Sequence, residues 1–189
     1  MNLRDRRAGI MAVSGDILTP VTCLIASTSP IDTGIVINND TIMNISAATY
    51  GTNKGYIFND GLTKVNKRNN NYGNAYAFGE NMGTQYIATG TKKTFIIDGV
   101  NHRIQVATNN YNYLTATQFA QASNSMKLGE YDGEQYSTGY KYYYITAYVN
   151  DVLTYDLRPY LKNGKPVFYD VINGTYHTVA EGGVDWTYE

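Results

Sequence analysis

Three carboxylates stand at alternate positions in "GEYDGEQ": Glu130, Asp132 and Glu134. On a straight strand this spacing turns all three to one side, because successive side chains alternate between the two faces. Two carboxyl groups held about 5 to 5.5 Å apart can serve a retaining glycosidase, one as nucleophile and the other as general acid. The surroundings argue against that chemistry. Gly133 interrupts the segment, "EQYSTG" follows at once, and Trp186, the single tryptophan, lies far along the chain instead of lining a cleft. The three acids are expected to form a solvated edge after a strand that ends near Tyr131. Asp132 and Glu134 also fall short of the about six to eight oxygens a calcium ion takes.

The remaining reactive residue types are sparse. His102 and His177 each lie in a run of alternating strand residues, which predicts structural or surface roles. Cys23 in "VTCLIA" reads as a small buried apolar residue, and a lone cysteine allows neither an internal disulfide nor a multi-thiolate zinc site. No Ser/His/Asp set, phosphate-binding glycine loop or histidine cluster appears at informative spacing. The sequence is therefore read as non-enzymatic, with no metal and no cofactor.

What must position the side chains is a set of strands. The 189 residues suit one domain with a sizeable core. Tyrosine is over-represented at 19 residues, beside 18 glycines and 20 asparagines, a mixture that favours strands joined by tight turns. Fifteen basic against sixteen acidic residues give a net charge of −1, so no overall field draws in nucleic acid or anionic lipid, and neither is expected as a partner.

From Pro20 onward short strand-type runs recur: "VTCLIA", "TGIVIN", "TIMNISA", "KGYIFN", "AYAFGE", "QYIAT", "KTFIID", "HRIQVA", "SMKLGEY", "YKYYYITAYV", "DVLTYDL", "PVFYDVI" and "GTYHTVA". Their spacing, about 8 to 12 residues, is the rhythm of an all-β sandwich or barrel. The stretch "TATQFAQASNSM" reads as a loop with at most one helical turn, and residues 66–74, "NKRNNNYGN", as an exposed loop. Tight hairpins are expected at Asp98-Gly99, Asn150-Asp151, Asn163-Gly164 and Asn173-Gly174, pairs that tolerate the positive φ of type I′ turns.

Along residues 140–149, alternation places Tyr143, Ile145, Ala147 and Val149 on one face and Tyr140, Tyr142, Tyr144, Thr146 and Tyr148 on the other. The first set carries the branched and small apolar groups and is assigned to the core. The tyrosine face is left to pack under a loop or a neighbouring chain, or to stack against sugar, since tyrosine has an apolar body and a hydrogen-bonding tip. Tyr140, Tyr142, Tyr144 and Tyr148 are thus the candidate glycan- or partner-binding residues. Asp156 and Arg158, two apart on the following strand, are expected to share a face and pair.

Residues 1–19 stand apart as an amino-terminal arm, with Arg4, Arg6 and Arg7 clustered as candidates for attachment to a larger particle. No export signal is evident in "MNLRDRRAGIMAVSGDILTP", and no apolar run approaches the about 20 residues of a membrane helix.

The order of parts in "GYKYYYITAYVNDVLTYDLRPYLKNGKPVFYDVINGTYHTVAEGG" resembles the last strands of laminin-G-like, concanavalin A-like jelly rolls of gut bacteria and their phages. The corner is Asp156-Leu157-Arg158-Pro159, followed by Phe168-Tyr169-Asp170 and Gly174-Thr175-Tyr176-His177. Upstream, "SPIDTGIVINNDTIMNI" resembles the family's opening strand and "IIDGVNHRIQV" its central hairpin, so the likeness covers residues 23 to 183. Pro30 and Asp151 depart from it, where the family usually has an aromatic and a glycine. The resemblance implies an all-β, two-sheet antiparallel jelly-roll sandwich over residues 20–189. It also implies a choice of roles: sugar binder, adhesin or virion part. Some glycosidases of this fold resemble the Glu-x-Asp-x-Glu spacing.

A lectin-like sandwich without an export signal fits a bacteriophage particle, whose parts are made in the host cytoplasm and leave by lysis. The expectation is a virion structural or adhesion protein of a fibre, tail or capsid decoration. Its expected partners are other virion proteins, copies of itself in a homo-oligomer, and a cell-surface glycan. A free carbohydrate-binding protein and a glycoside hydrolase using Glu130, Asp132 and Glu134 are the alternatives.

Overall fold

A computed structural model describes residues 15–50, 55–67, 72–87, 89–105, 113–117, 120–130 and 138–189. Among these residues there is no helix, and seventeen strands follow one another. In chain order they are β1 (Leu18–Pro20), β2 (Leu24–Ile25), β3 (Ile31–Asp32), β4 (Thr41–Ala48), β5 (Gly55–Asn59) and β6 (Lys64–Lys67). Then come β7 (Tyr72–Ala77), β8 (Glu80–Tyr86), β9 (Lys93–Asp98), β10 (Arg103–Gln105), β11 (Tyr113–Thr115) and β12 (Lys127–Leu128). The last are β13 (Lys141–Val149), β14 (Val152–Lys162), β15 (Lys165–Asp170), β16 (Thr175–His177) and β17 (Thr187–Tyr188).

They form two antiparallel sheets, and the fold is an all-β sandwich. The larger sheet runs β11-β10-β9-β4-β13-β14-β15-β16, with β1, β2 and β17 attached; the smaller runs β3-β12-β5-β6-β7-β8. Inward side chains of both sheets make one core, in which Phe58 of β5 meets Phe95 of β9 edge to face with ring centroids 5.6 Å apart. This packing explains why buried Met43, Ile45, Phe95 and Ile97 alternate with the partly exposed Ile42, Asn44, Thr94 and Ile96 along β4 and β9.

The turn chemistry separates into two kinds. Asn150 and Asp151 both have positive φ between the paired Val149 and Val152, as do Asn163 and Gly164 between Lys162 and Lys165. These are the two-residue turns expected from their residue types. At Asp98-Gly99 the expectation fails, because residues 99–102 form a longer connection in which His102, not Gly99, takes positive φ. Gly99 is required for another reason: a Cβ there would lie 2.0 Å from the Asn38 carbonyl oxygen. The Asp98 carboxylate shapes this loop by accepting from Asn101 N and Asn101 Nδ2, both at 2.9 Å, and from Arg103 Nε at 2.7 Å. Asp170 does the same for residues 171–174, where Asn173 keeps a negative φ and Gly174 alone is left-handed.

Other readings shift with the register. "AYAFGE" is no single strand: Phe78 and Gly79, at φ 53° and 90°, turn the chain between β7 and β8. Within "NKRNNNYGN", Asn66 and Lys67 belong to β6 and residues 72–74 to β7. Residues 33–38 of "TGIVIN" carry no strand, yet Ile35 and Ile37 are buried in the core.

Leu18 and Thr19, counted with the amino-terminal arm above, belong to the larger sheet. β14 pairs with β13 only up to Leu157, then continues beside β15, leaving its other edge open. β1 fills that edge through Leu18↔Lys162 and Pro20↔Tyr160, and β2 continues the same segment alongside Lys141 and Tyr142 of β13. Cys23 is fully buried here, as its surroundings predicted, and burial pushes its thiol above the ordinary range.

Candidate functional site

The register of the larger sheet assembles one continuous row on its outer face. Thr94 of β9 stands opposite Ser46 of β4, which stands opposite Tyr144 of β13. On the far side Arg158 of β14 stands opposite Tyr169 of β15, and Tyr169 opposite Tyr176 of β16. Ile145↔Leu157 brings Tyr144 alongside Arg158, so the two halves join. Tyr160 flanks the row, its ring meeting that of Tyr169 edge to face at 5.7 Å, while Tyr169 and Tyr176 lie tilted at 5.2 Å.

Cations cover these rings. Lys92 Nζ lies 4.3 Å from the Tyr143 ring centre and 5.7 Å from that of Tyr144. The Arg158 guanidinium lies 5.1 Å from the Tyr144 centre, and Lys162 Nζ 3.9 Å from that of Tyr176. Each such contact stabilises by about 0.5 to 1 kcal/mol when exposed. Two carboxylates interleave: Asp156 pairs with Arg158, with Oδ1 and Nε 2.6 Å apart as their two-residue spacing predicts, and Asp16 pairs with Lys162 at 3.0 Å. Burial raises the Tyr169 phenol above its ordinary range, with Tyr176 and Tyr160 adding to the effect. The row thus combines rings, hydroxyls and cations, with Ser46 and Tyr169 buried within it and Tyr144 and Tyr176 partly exposed.

The sequence-derived tyrosine face splits in two. Tyr144 and Tyr148 are partly exposed and lie outward, but Tyr140 and Tyr142 are fully buried in the core. The cause is a β-bulge: Tyr142 pairs with Ala47 and Tyr144 with Ser46, so Tyr143 is an extra residue without a partner on β4. Alternation restarts out of phase beyond it. Tyr143, assigned to the core above, instead lies under Lys92. The Tyr142 hydroxyl donates to the Ile57 carbonyl at 2.6 Å, and its ring packs on Trp186 at 5.2 Å. Tyr160, Lys92 and Lys162 were not singled out in the sequence, and Tyr169 and Tyr176 entered only among the residues that carry the resemblance, not as contact residues. A signal exists for Tyr160 and Tyr169: counting back from the Asn163-Gly164 turn pairs Tyr160 with Val167 and Arg158 with Tyr169.

Glu130 lies elsewhere, two residues beyond β12 of the smaller sheet. It joins Asp32, Asn59, Asp60, Ser123, Ser125 and Lys127 around an open cleft of about 380 Å³. Its carboxylate accepts from Asn59 Nδ2 at 2.5 Å and from Lys127 Nζ at 3.2 Å. Asp132 and Glu134 lie outside the described residues, as do Arg4, Arg6 and Arg7. Among the described residues no three His, Cys, Asp or Glu side chains are grouped to hold a metal ion, and no helix is long and apolar enough to cross a membrane. His177 ties the two sheets, with Nδ1 3.2 Å from the Asp32 carbonyl oxygen, and His102 packs edge to face on Phe78.

No family model, curated protein or solved structure matches the chain.

Proposed function

We propose that this chain is a non-enzymatic structural and adhesion protein of a bacteriophage particle, part of a fibre, a tail or a capsid decoration. In this reading the sandwich is a laminin-G-like jelly roll and its outer tyrosine row meets a glycan or a neighbouring copy. The observation that carries it is the row itself, in which Tyr144, Arg158, Tyr169 and Tyr176 stand in register on one sheet face. Tyrosine and arginine are residue types enriched in contact surfaces, and tyrosine supplies its area at low entropic cost. Glu130, the one described member of the carboxylate set, is bound to Lys127 and Asn59. The phage setting rests on the resemblance of residues 23 to 183. Mass spectrometry of purified phage particles tests it: the chain is expected among the virion proteins, and its absence from every particle examined contradicts the reading.

A further inference from the structure

Asn163 does more than turn the chain. At the tip of the β14–β15 hairpin its Oδ1 accepts from Ile17 N at 2.9 Å and its Nδ2 donates to Asp16 Oδ1 at 3.0 Å. Its backbone N donates to the Ile17 carbonyl at 2.9 Å. Lys162 Nζ holds the other Asp16 oxygen at 3.0 Å, and the hydrogen bonds from Lys162 and Asn163 keep the Asp16 carboxyl below its usual range. Within residues 15–20 only Leu18 is buried. The amino-terminal end of the sheet therefore depends on this polar clasp.

The residue after Asn163 is Gly164, which has no side chain to hinder its nitrogen and stands in open space, where an added Cβ would meet nothing within 4 Å. We propose that Asn163 is a deamidation site whose conversion to a carboxylate frees residues 16–20 from the larger sheet. The Gly164 backbone nitrogen attacks the Asn163 side-chain amide carbon, a carbon–nitrogen bond closes a succinimide ring, and the side-chain nitrogen leaves as ammonia. Water then opens the ring at either carbonyl, giving aspartate or isoaspartate, with no change of oxidation state. Either product replaces the donor facing Asp16 with a second negative charge, and like charges in contact repel. Isoaspartate also lengthens the turn by one backbone atom, which disturbs the Lys162↔Lys165 pair.

The second Asn-Gly pair is better protected. Asn173 Nδ2 donates to both Thr154 O at 2.9 Å and Asp170 Oδ2 at 2.6 Å, and Gly174 N, the would-be nucleophile, donates to Asp170 O at 2.8 Å. The two sites thus share a dipeptide but not a reactivity.

The test holds the full chain at mildly alkaline pH and follows it by peptide mapping and by amide hydrogen exchange. Acid is expected at position 163 before position 173, with exchange at Ile17, Leu18 and Thr19 faster by about tenfold or more while Met43 and Ile45 stay protected. Asn163→Asp should reproduce the faster exchange without incubation. Adding Asp16→Asn, which restores a donor opposite the new carboxylate, should slow it again. Exchange at 17–19 that is unchanged after conversion, or an Asn163 that outlasts Asn173, overturns the proposal.

Discussion

The Tyr142 hydroxyl donates to the Ile57 carbonyl at 2.6 Å, linking β13 of the larger sheet to β5 of the smaller through the interior. Ile57 O also receives a long bond from Gly129 N at 3.4 Å. Tyr142→Phe keeps the ring but removes the donor, so unfolding should become easier by about 1 to 2 kcal/mol. The denaturant midpoint reads this. Contact by the outer tyrosine row should be unaffected.

The same group sets an alkaline limit. Burial holds the Tyr142 phenol well above its ordinary value near 10 in the folded state. A pKa raised on folding gives stability that is complete below the unfolded value and declines once the unfolded chain begins to lose that proton. Stability should therefore fall with pH above about 10. In Tyr142→Phe the fall should be shallower, read from thermal melts across that window.

Trp186 anchors the carboxyl-terminal segment. Its Nε1 donates to Ser29 O at 2.6 Å, its ring packs on Tyr142 and Phe168, and residues 180–185 and 187–189 around it are exposed. Trp186→Ala should cost about 3 to 5 kcal/mol and release β17 from β2. Gly129→Ala attacks the same contact from beneath, since Gly129 has φ +69° and an added Cβ would sit 3.0 Å from Trp186 Cζ2. Both variants should show rapid exchange at Tyr188 and Glu189.

The sandwich was legible because burial imposes alternation, and the turns at Asn150-Asp151 and Asn163-Gly164 because their φ angles demand those residue types. The bulge at Tyr143 was not legible. Three tyrosines in succession carry no mark of which one is extra, and a single inserted residue moves every earlier side chain to the opposite face. Asp98-Gly99 and Asn173-Gly174 misled for a different reason: aspartates at strand ends, Asp98 and Asp170, fold longer loops by accepting from several donors, a role the dipeptide does not reveal. Phe78 occupies a left-handed position that its type disfavours, so "AYAFGE" reads as strand. Of the candidate site, Tyr144, Tyr148 and the Asp156–Arg158 pair were visible locally. The rest depended on counting register across hairpins.

The central claim is that the outer row of the larger sheet is the working surface. The direct measurement compares the intact chain with Tyr144→Ala/Tyr176→Ala, and with Lys64→Ala on the smaller sheet, on an array of bacterial and mucosal glycans and by sedimentation velocity. The intact chain is expected to bind glycan or self-associate, with that contact reduced at least tenfold, about 1.4 kcal/mol, in the double variant and unchanged in Lys64→Ala. Contact that survives the double variant, or a chain that neither binds nor associates, contradicts it.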